Sequence, residues 1–284
     1  MNSAEQPPIR IGYIEYVNAF PFFFGLEQQL AGKRVEFVRG SPAGINALMR
    51  RGEIDIGLVS SLEYALAQED YYVLSDACIG SGGITNSVIL CSKFPIERLN
   101  ERRIALSKES LSSACLLKIL LSEKFGFKNL FVENLCSLPE MLKNADAALV
   151  IGDQALFLER DGEHFEYDLC ELWNEWQGLP FCFALWVVRR SFADRYPFET
   201  RCVTGALESN LERNRKDPES LFSGLSKVDT CESNRSMILD YWQRLTYRLD
   251  PELLKGLERF YELAWRVGML NREIVLEYAN TAEV

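Results

Sequence analysis

Residues 10–21 read R-I-G-Y-I-E-Y-V-N-A-F-P. The apolar run 11–17 predicts a first β-strand, which stops at Asn18 because Pro21 cannot continue a regular ladder. In an open α/β sheet, ligands bind just outside the carboxyl ends of the strands. A side-chain amide at that place, followed by Phe20, Phe22, Phe23 and Phe24, predicts one wall of a small-molecule cleft. The competing reading is a turn asparagine whose side chain bonds its own backbone.

Outward from this stretch, strand-like and helix-like segments alternate through the first two thirds of the chain, the pattern of a mostly parallel α/β sheet. Residues 35–38 predict a second strand. Ser41 and Pro42 then supply a cap and a first helical turn, Ile45, Leu48 and Met49 an apolar face, and Gly52 a stop. In R-G-E-I-D-I-G-L-V-S-S-L-E-Y-A (51–65) a strand over 54–59 runs into Ser60 and Ser61, with a helix from about Leu62. Either serine suits a helix cap or a ligand at the strand end. Further strands are expected at 87–91, 103–106, 147–151 and 181–188, and a Leu-rich helix over 111–125 ended by Gly126. After Arg190 the pattern turns to amphipathic helices, with no strand expected.

The apolar strands at 87–91 and 181–188 bracket a segment that looks complete in itself. The expected architecture is α/β with two hinged lobes. Residues 1–92 and 184–284 form a discontinuous first lobe with a helical C-terminal segment, residues 93–183 form the second, and the ligand cleft lies between them.

The 284 residues are 48% hydrophobic and 25% charged, an ordinary globular composition. A net charge of −10 argues against non-specific binding to nucleic acid or anionic membrane. Attraction for an anionic substrate would then have to come from local groups. The N-terminal M-N-S-A-E-Q-P-P has neither the basic nor the apolar region of a secretory signal, no run approaches a membrane span, and a cytoplasmic protein is expected. Eight cysteines (78, 91, 115, 136, 170, 182, 202 and 231) show no C-x-x-C or C-x-x-H spacing, so free thiols are expected rather than disulfides or zinc.

No phosphate-loop, dinucleotide, zinc-protease or serine-hydrolase motif is present. The single histidine, His164, sits in the polar stretch R-D-G-E-H-F-E, which suits a solvated loop and leaves Ser- or Cys-based nucleophilic schemes without their usual base. What the chain offers instead is neutral donors at strand ends and helix starts. Ser107, Ser110, Ser112 and Ser113 cluster around the start of the 111–125 helix, where unpaired N–H groups and the helix dipole hold an anion without Lys or Arg. Plain N-capping also accounts for serines there. Asn86 and Ser87 are expected at the base of the cleft. Gly152 and Asp153 follow the 147–151 strand, with Asp153 either binding a ligand hydroxyl or capping the next helix. Trp173 and Trp176 suit packing beneath the hinge.

Four segments carry a resemblance that covers residues 10–190: the opening 10–21 stretch, R-G-E-I-D-I-G-L-V-S-S-L-E-Y, I-G-D at 151–153, and L-W-N-E-W-Q-G-L-P-F-C-F-A-L-W-V-V-R-R. They resemble the chorismate dehydratase family of the futalosine route to menaquinone. That resemblance implies a periplasmic-binding-protein type II-like fold used as an enzyme without metal or other cofactor. Its reaction would convert chorismate, a small dicarboxylate, to 3-[(1-carboxyvinyl)oxy]benzoate and water, with no obligate protein partner. Asn18 matches the family's active-site asparagine, Ser87 its cleft serine, and Ser110, Ser112 and Ser113 its Ser/Thr-rich helix start. Asn86 and the Phe22-Phe23-Phe24 cluster depart from the family pattern. The expected base is the substrate's own enolpyruvyl carboxylate, with Glu15 and Asp153 the acidic residues to test against it. Two rival readings are the sister enzyme that makes 1,4-dihydroxy-6-naphthoate, which should need a placed acid–base residue, and a non-catalytic solute-binding or sensor protein.

Overall fold

Ile9, Ile11 and Ile14 point into the core from β1 (Ile9–Ile14), which pairs in parallel with β2 (Val35–Gly40) and β3 (Ile56–Ser60). The computed structural model describes residues 8–134, 137–160, 162–225, 228 and 230–280. β1 ends three residues short of Val17, and the cause is local. The Val17 N–H goes to Asp153 Oδ1 (3.0 Å) and its carbonyl to the Trp242 indole N–H (2.7 Å), so residue 17 makes no ladder bond. The backbone turns instead, with Ala19 N and Phe20 N on the Tyr16 carbonyl, into a short helix, Phe20–Phe23, that carries Pro21 in its first turn. Asn18 therefore sits in a turn beyond the strand rather than at its last position.

The phenylalanines that follow are core, not cleft. Phe22 is fully buried edge-on to Trp186 (5.5 Å) and Tyr247 (5.4 Å), and Phe23 stacks on Tyr13 at 4.1 Å. Burying such a ring contributes about 1.5–3 kcal/mol, with roughly another 0.5–1.5 kcal/mol for each well-placed aromatic pair. That gain outweighs anything an exposed aromatic wall would offer.

Six strands form the first sheet in the order β11-β4-β10-β3-β1-β2, where β4 is Tyr71–Ser81, β10 is Phe181–Arg189 and β11 is Leu245–Arg248. β10 runs antiparallel to both β3 and β4, and β11 antiparallel to β4. β11 overturns the expectation of a strand-free C-terminal third: a four-residue edge strand is held by pairing and has no pattern of its own. The 42–51 helix has the cap foreseen for it, the Ser41 side chain accepting from Gly44 N at 3.3 Å, and ends at Gly52.

The second sheet, β7-β6-β8-β5-β9, comprises β5 (Val88–Ser92), β6 (Arg103–Ser107), β7 (Leu130–Asn134), β8 (Ala147–Ile151) and β9 (Phe165–Asp168). β5 lies between β8 and β9, antiparallel to each. A division at residue 92 would remove this strand from its sheet, so the chain passes between sheets within 82–87 and returns within 169–180. The Leu-rich helix runs Leu111–Ile119 and continues as a wider π-helical turn, Leu120–Lys124. Helices Pro197–Lys216, Glu232–Arg244 and Pro251–Arg266 make most of the C-terminal segment and pack onto the first sheet. No described helix is long and apolar enough to cross a membrane. Seven cysteines are free thiols, and Cys136 lies outside the described residues.

Candidate functional site

A cavity opens between the two sheets. Asn18 and Ser60 reach it from the first sheet, and Ser87, Ser110, Ser113 and Gly152 from the second. Ile14, Leu58, Ile79, Val88 and Phe183 supply apolar surface, and Tyr16 and Tyr241 add two phenol rings. Among the described residues no cationic side chain lines it. Anything anionic held there meets hydroxyls, an amide, and the start of the nine-residue 111–119 helix.

Each polar group is held by its element. Ser60 caps the helix Ser61–Leu66, its hydroxyl accepting from Glu63 N and from the Asn46 amide, both at 3.2 Å. Ser110 caps the 111–119 helix, accepting from Ser113 N at 3.2 Å and lying 2.9 Å from the Ser113 hydroxyl. The Ser87 carbonyl accepts from Gly152 N at 2.7 Å. Gly152 has φ +62°, and a Cβ there would lie 2.5 Å from the Tyr16 ring, so both backbone and space require glycine. Tyr16 in turn donates to the carboxylate of Glu109, whose pKa burial pushes up.

Ser61 and Ser112 are fully buried outside the cavity lining. Their hydroxyls lie 2.9 Å apart, Ser61 donates to the Cys182 carbonyl (2.8 Å), and Ser112 accepts from Leu62 N (3.1 Å). They pin the 61–66 helix to the 111–119 helix. Asn86 also stays outside the lining. Its φ of +60° is left-handed, a conformation asparagine tolerates better than most residues, and its side chain accepts from Arg160 at 3.2 Å. Asp153 begins the helix Asp153–Leu156 but turns its carboxylate to the Val17 N–H. Burial pushes its pKa up to about 6, against the lowering effect of that bond. Glu15 pairs with Arg39 at 3.2 Å, and His164 precedes β9; neither lines the cavity.

A family model described as menaquinone biosynthesis matches residues 9–266. The chain belongs to that menaquinone-biosynthesis family. The chorismate dehydratase of Thermus thermophilus is 34% identical to this family member over 199 residues, 64% of this chain and 70% of that protein. Among solved structures, the alkanesulfonate-binding protein SsuA of Xanthomonas axonopodis pv. citri, bound to MOPS, superposes with TM-score 0.71 at 17% identity, covering 96% of this chain and 98% of its own. A Candida albicans protein described as exhibiting the generic periplasmic binding protein fold gives TM-score 0.66 at 12% identity over 98% of this chain and 99% of that one. The menaquinone-biosynthesis protein therefore has the two-sheet, periplasmic-binding-protein-like α/β fold.

Two further residues of this family member shape the site without a legible signal in the sequence. Asp168 ends β9 and caps the helix Leu169–Gln177, Oδ1 accepting from Cys170 N (2.9 Å) and Glu171 N (3.2 Å). Its Oδ2 accepts from Thr85 N (2.9 Å), the Thr85 hydroxyl (3.1 Å) and Asn86 N (2.7 Å). One carboxylate thus fixes the backbone leading into Ser87. Tyr241 comes from the helix Glu232–Arg244. In sequence it reads as one more aromatic on an amphipathic helix, whereas in the fold it lines the cavity together with Asn18 and Ser87.

Proposed function

We propose that this protein is a chorismate dehydratase, converting chorismate to 3-[(1-carboxyvinyl)oxy]benzoate and water on the futalosine route to menaquinone, in the cytoplasm. One observation carries the reading: Asn18, Ser87, Ser110 and Ser113, drawn from separate parts of the sequence, converge on one cavity that has donors for an anion and, among the described residues, no cationic group. The 34% identity to the Thermus dehydratase supports the same substrate. The two sheets act as lobes, the first of residues 8–81 and 181–280 and the second of 88–168, joined by the two crossing segments. Closure between them presses the substrate between Asn18 and Ser87.

The chemistry asks little of the protein beyond position. The C3–H bond of chorismate breaks, its electron pair becomes ring π-density, and the C4–O bond breaks as the ring turns aromatic. The substrate's enolpyruvyl carboxylate takes the C3 proton and passes it to the departing hydroxide, which leaves as water. Charge that develops at C3 spreads toward the C1 carboxylate, where neutral donors stabilise it in a site from which water is excluded. Asn18 and Ser87 orient the reacting carboxylate and hydroxyl, and the Ser110–Ser113 helix start holds the other carboxylate. Folding the enolpyruvyl arm against C3 makes proton transfer intramolecular, the kind of gain that positioning alone supplies.

The test is to incubate purified protein with chorismate and no added cofactor, following the aromatic product by absorbance and mass. Formation of the benzoate is expected, with Asn18→Ala folded but largely inactive. Chorismate that binds yet stays unchanged would move the assignment to a solute-binding role.

A further inference from the structure

Two residues before Asn18, the chain reaches across to the second sheet and is held there. The Tyr16 ring lines the cavity, while its hydroxyl donates to the carboxylate of Glu109, which stays outside the lining. The same ring lies against Gly152, so closely that a Cβ there would come within 2.5 Å of it. One residue further on, the Val17 N–H donates to Asp153 Oδ1 at 3.0 Å. Tyr16 and Val17 follow β1 of the first sheet, whereas Glu109 follows β6 and Gly152 and Asp153 follow β8 of the second. These contacts therefore join the two lobes at the cavity wall.

Glu109 is partly buried, and among the described residues no cation pairs with it and no other group donates to its carboxylate. A carboxylate that loses hydration needs a donor in exchange. The Tyr16 phenol supplies one while the lobes are together, and water supplies one when they part. The bond thus favours closure and still permits opening. A ring that stands on one lobe and is held by the other lines the cavity only in the closed arrangement, so the movement that breaks the bond also admits water. We propose that Tyr16 is a positioning residue for the dehydration: its bond to Glu109 latches the lobes over the substrate, keeping Asn18 and Ser87 on one ring and solvent out. Only Val17 separates the latch from Asn18, so what fixes Tyr16 also places the amide. The inference rests on the reading of this cavity as the chorismate site.

Tyr16→Phe keeps the ring and removes the donor. The expected result is kcat/KM lower by roughly ten- to a hundred-fold, the worth of a hydrogen bond to a charged group, with a melting temperature within a few degrees of the parent's. Glu109→Ala should lose about as much, whereas Glu109→Gln, which still accepts, should stay within roughly three-fold of the parent. Joint action also predicts that the Tyr16→Phe, Glu109→Ala double variant falls less than about three-fold below either single one. A tyrosine that only packs is indifferent to the residue at 109. Tyr16→Phe activity within about three-fold of the parent, or losses that multiply in the double variant, overturns the proposal. Should the parent itself leave chorismate unchanged, the functional reading fails separately. Small-angle scattering of the ligand-free proteins then decides the latch: a larger radius of gyration in Tyr16→Phe and Glu109→Ala than in the parent supports it, and an unchanged radius refutes it.

Discussion

Asp153 holds a carboxylate between the two sheets with the Val17 N–H as its partner, and burial raises its pKa to about 6. A raised carboxyl pKa means that the folded protein binds this proton more tightly than the unfolded chain does. The stabilising effect is therefore complete below the unfolded value of 3.8 and lost as pH climbs through about 6. At neutral pH the ionised group costs up to about 3 kcal/mol, from a shift of roughly two pKa units. Asp153→Asn keeps an acceptor for Val17 and removes the charge. Its stability in denaturant titrations should exceed the parent's near about pH 8, and the gap should narrow through about pH 6 and close toward about pH 4. A gap independent of pH would mean that the carboxylate is not desolvated. Most turnover should survive, since this group points at backbone and not into the cavity.

At the scale of elements, Asp168 is the part whose loss should travel furthest. It joins the end of β9, the start of the 169–177 helix and the crossing segment before β5 through five accepted hydrogen bonds. Asp168→Ala leaves several buried N–H groups unpaired, so an unfolding free energy lower by about 3–5 kcal/mol is expected in urea titrations. An effect below about 1 kcal/mol would show that water replaces the carboxylate freely. The strands it organises also mark where sequence reading stops. β1, β3, β5, β8 and β10 announce themselves as apolar runs because both of their faces are covered. β7, β9 and β11 are short edge strands, and Ser75 and Asp76 interrupt β4, so none of these four shows a period of its own. Serines that cap helices beside the cavity were legible, since capping and ligand binding use the same residue types at the same place. Whether a serine faced the cavity, as Ser113 does, or a neighbouring helix, as Ser112 does, depended on packing that only the fold supplies. Tyr241 was hidden for a similar reason: a buried tyrosine is ordinary until the fold sets it in the wall of a cavity.

For the whole molecule, net charge sets the sign of a kinetic effect. A dianionic substrate approaches a protein of charge −10 whose cavity is lined by no cationic side chain among the described residues. Long-range repulsion is screened as the Debye length falls from about 30 Å at 0.01 M salt to about 8 Å at 0.15 M. kcat/KM for chorismate should therefore rise severalfold over that range, where a site built on Arg or Lys would lose activity. A fall on adding salt would mean that a cationic group guides entry. The strand order has a different consequence, for the history of the chain rather than its equilibrium. β4 lies between β10 and β11, and both begin after residue 180, whereas the five strands of the second sheet follow one another between residues 88 and 168. As the polypeptide leaves the ribosome, the later sheet can close while the earlier one still waits with open edges at β3 and β4, the condition under which nascent chains aggregate or recruit chaperones. The half that is synthesised first is the half that finishes last.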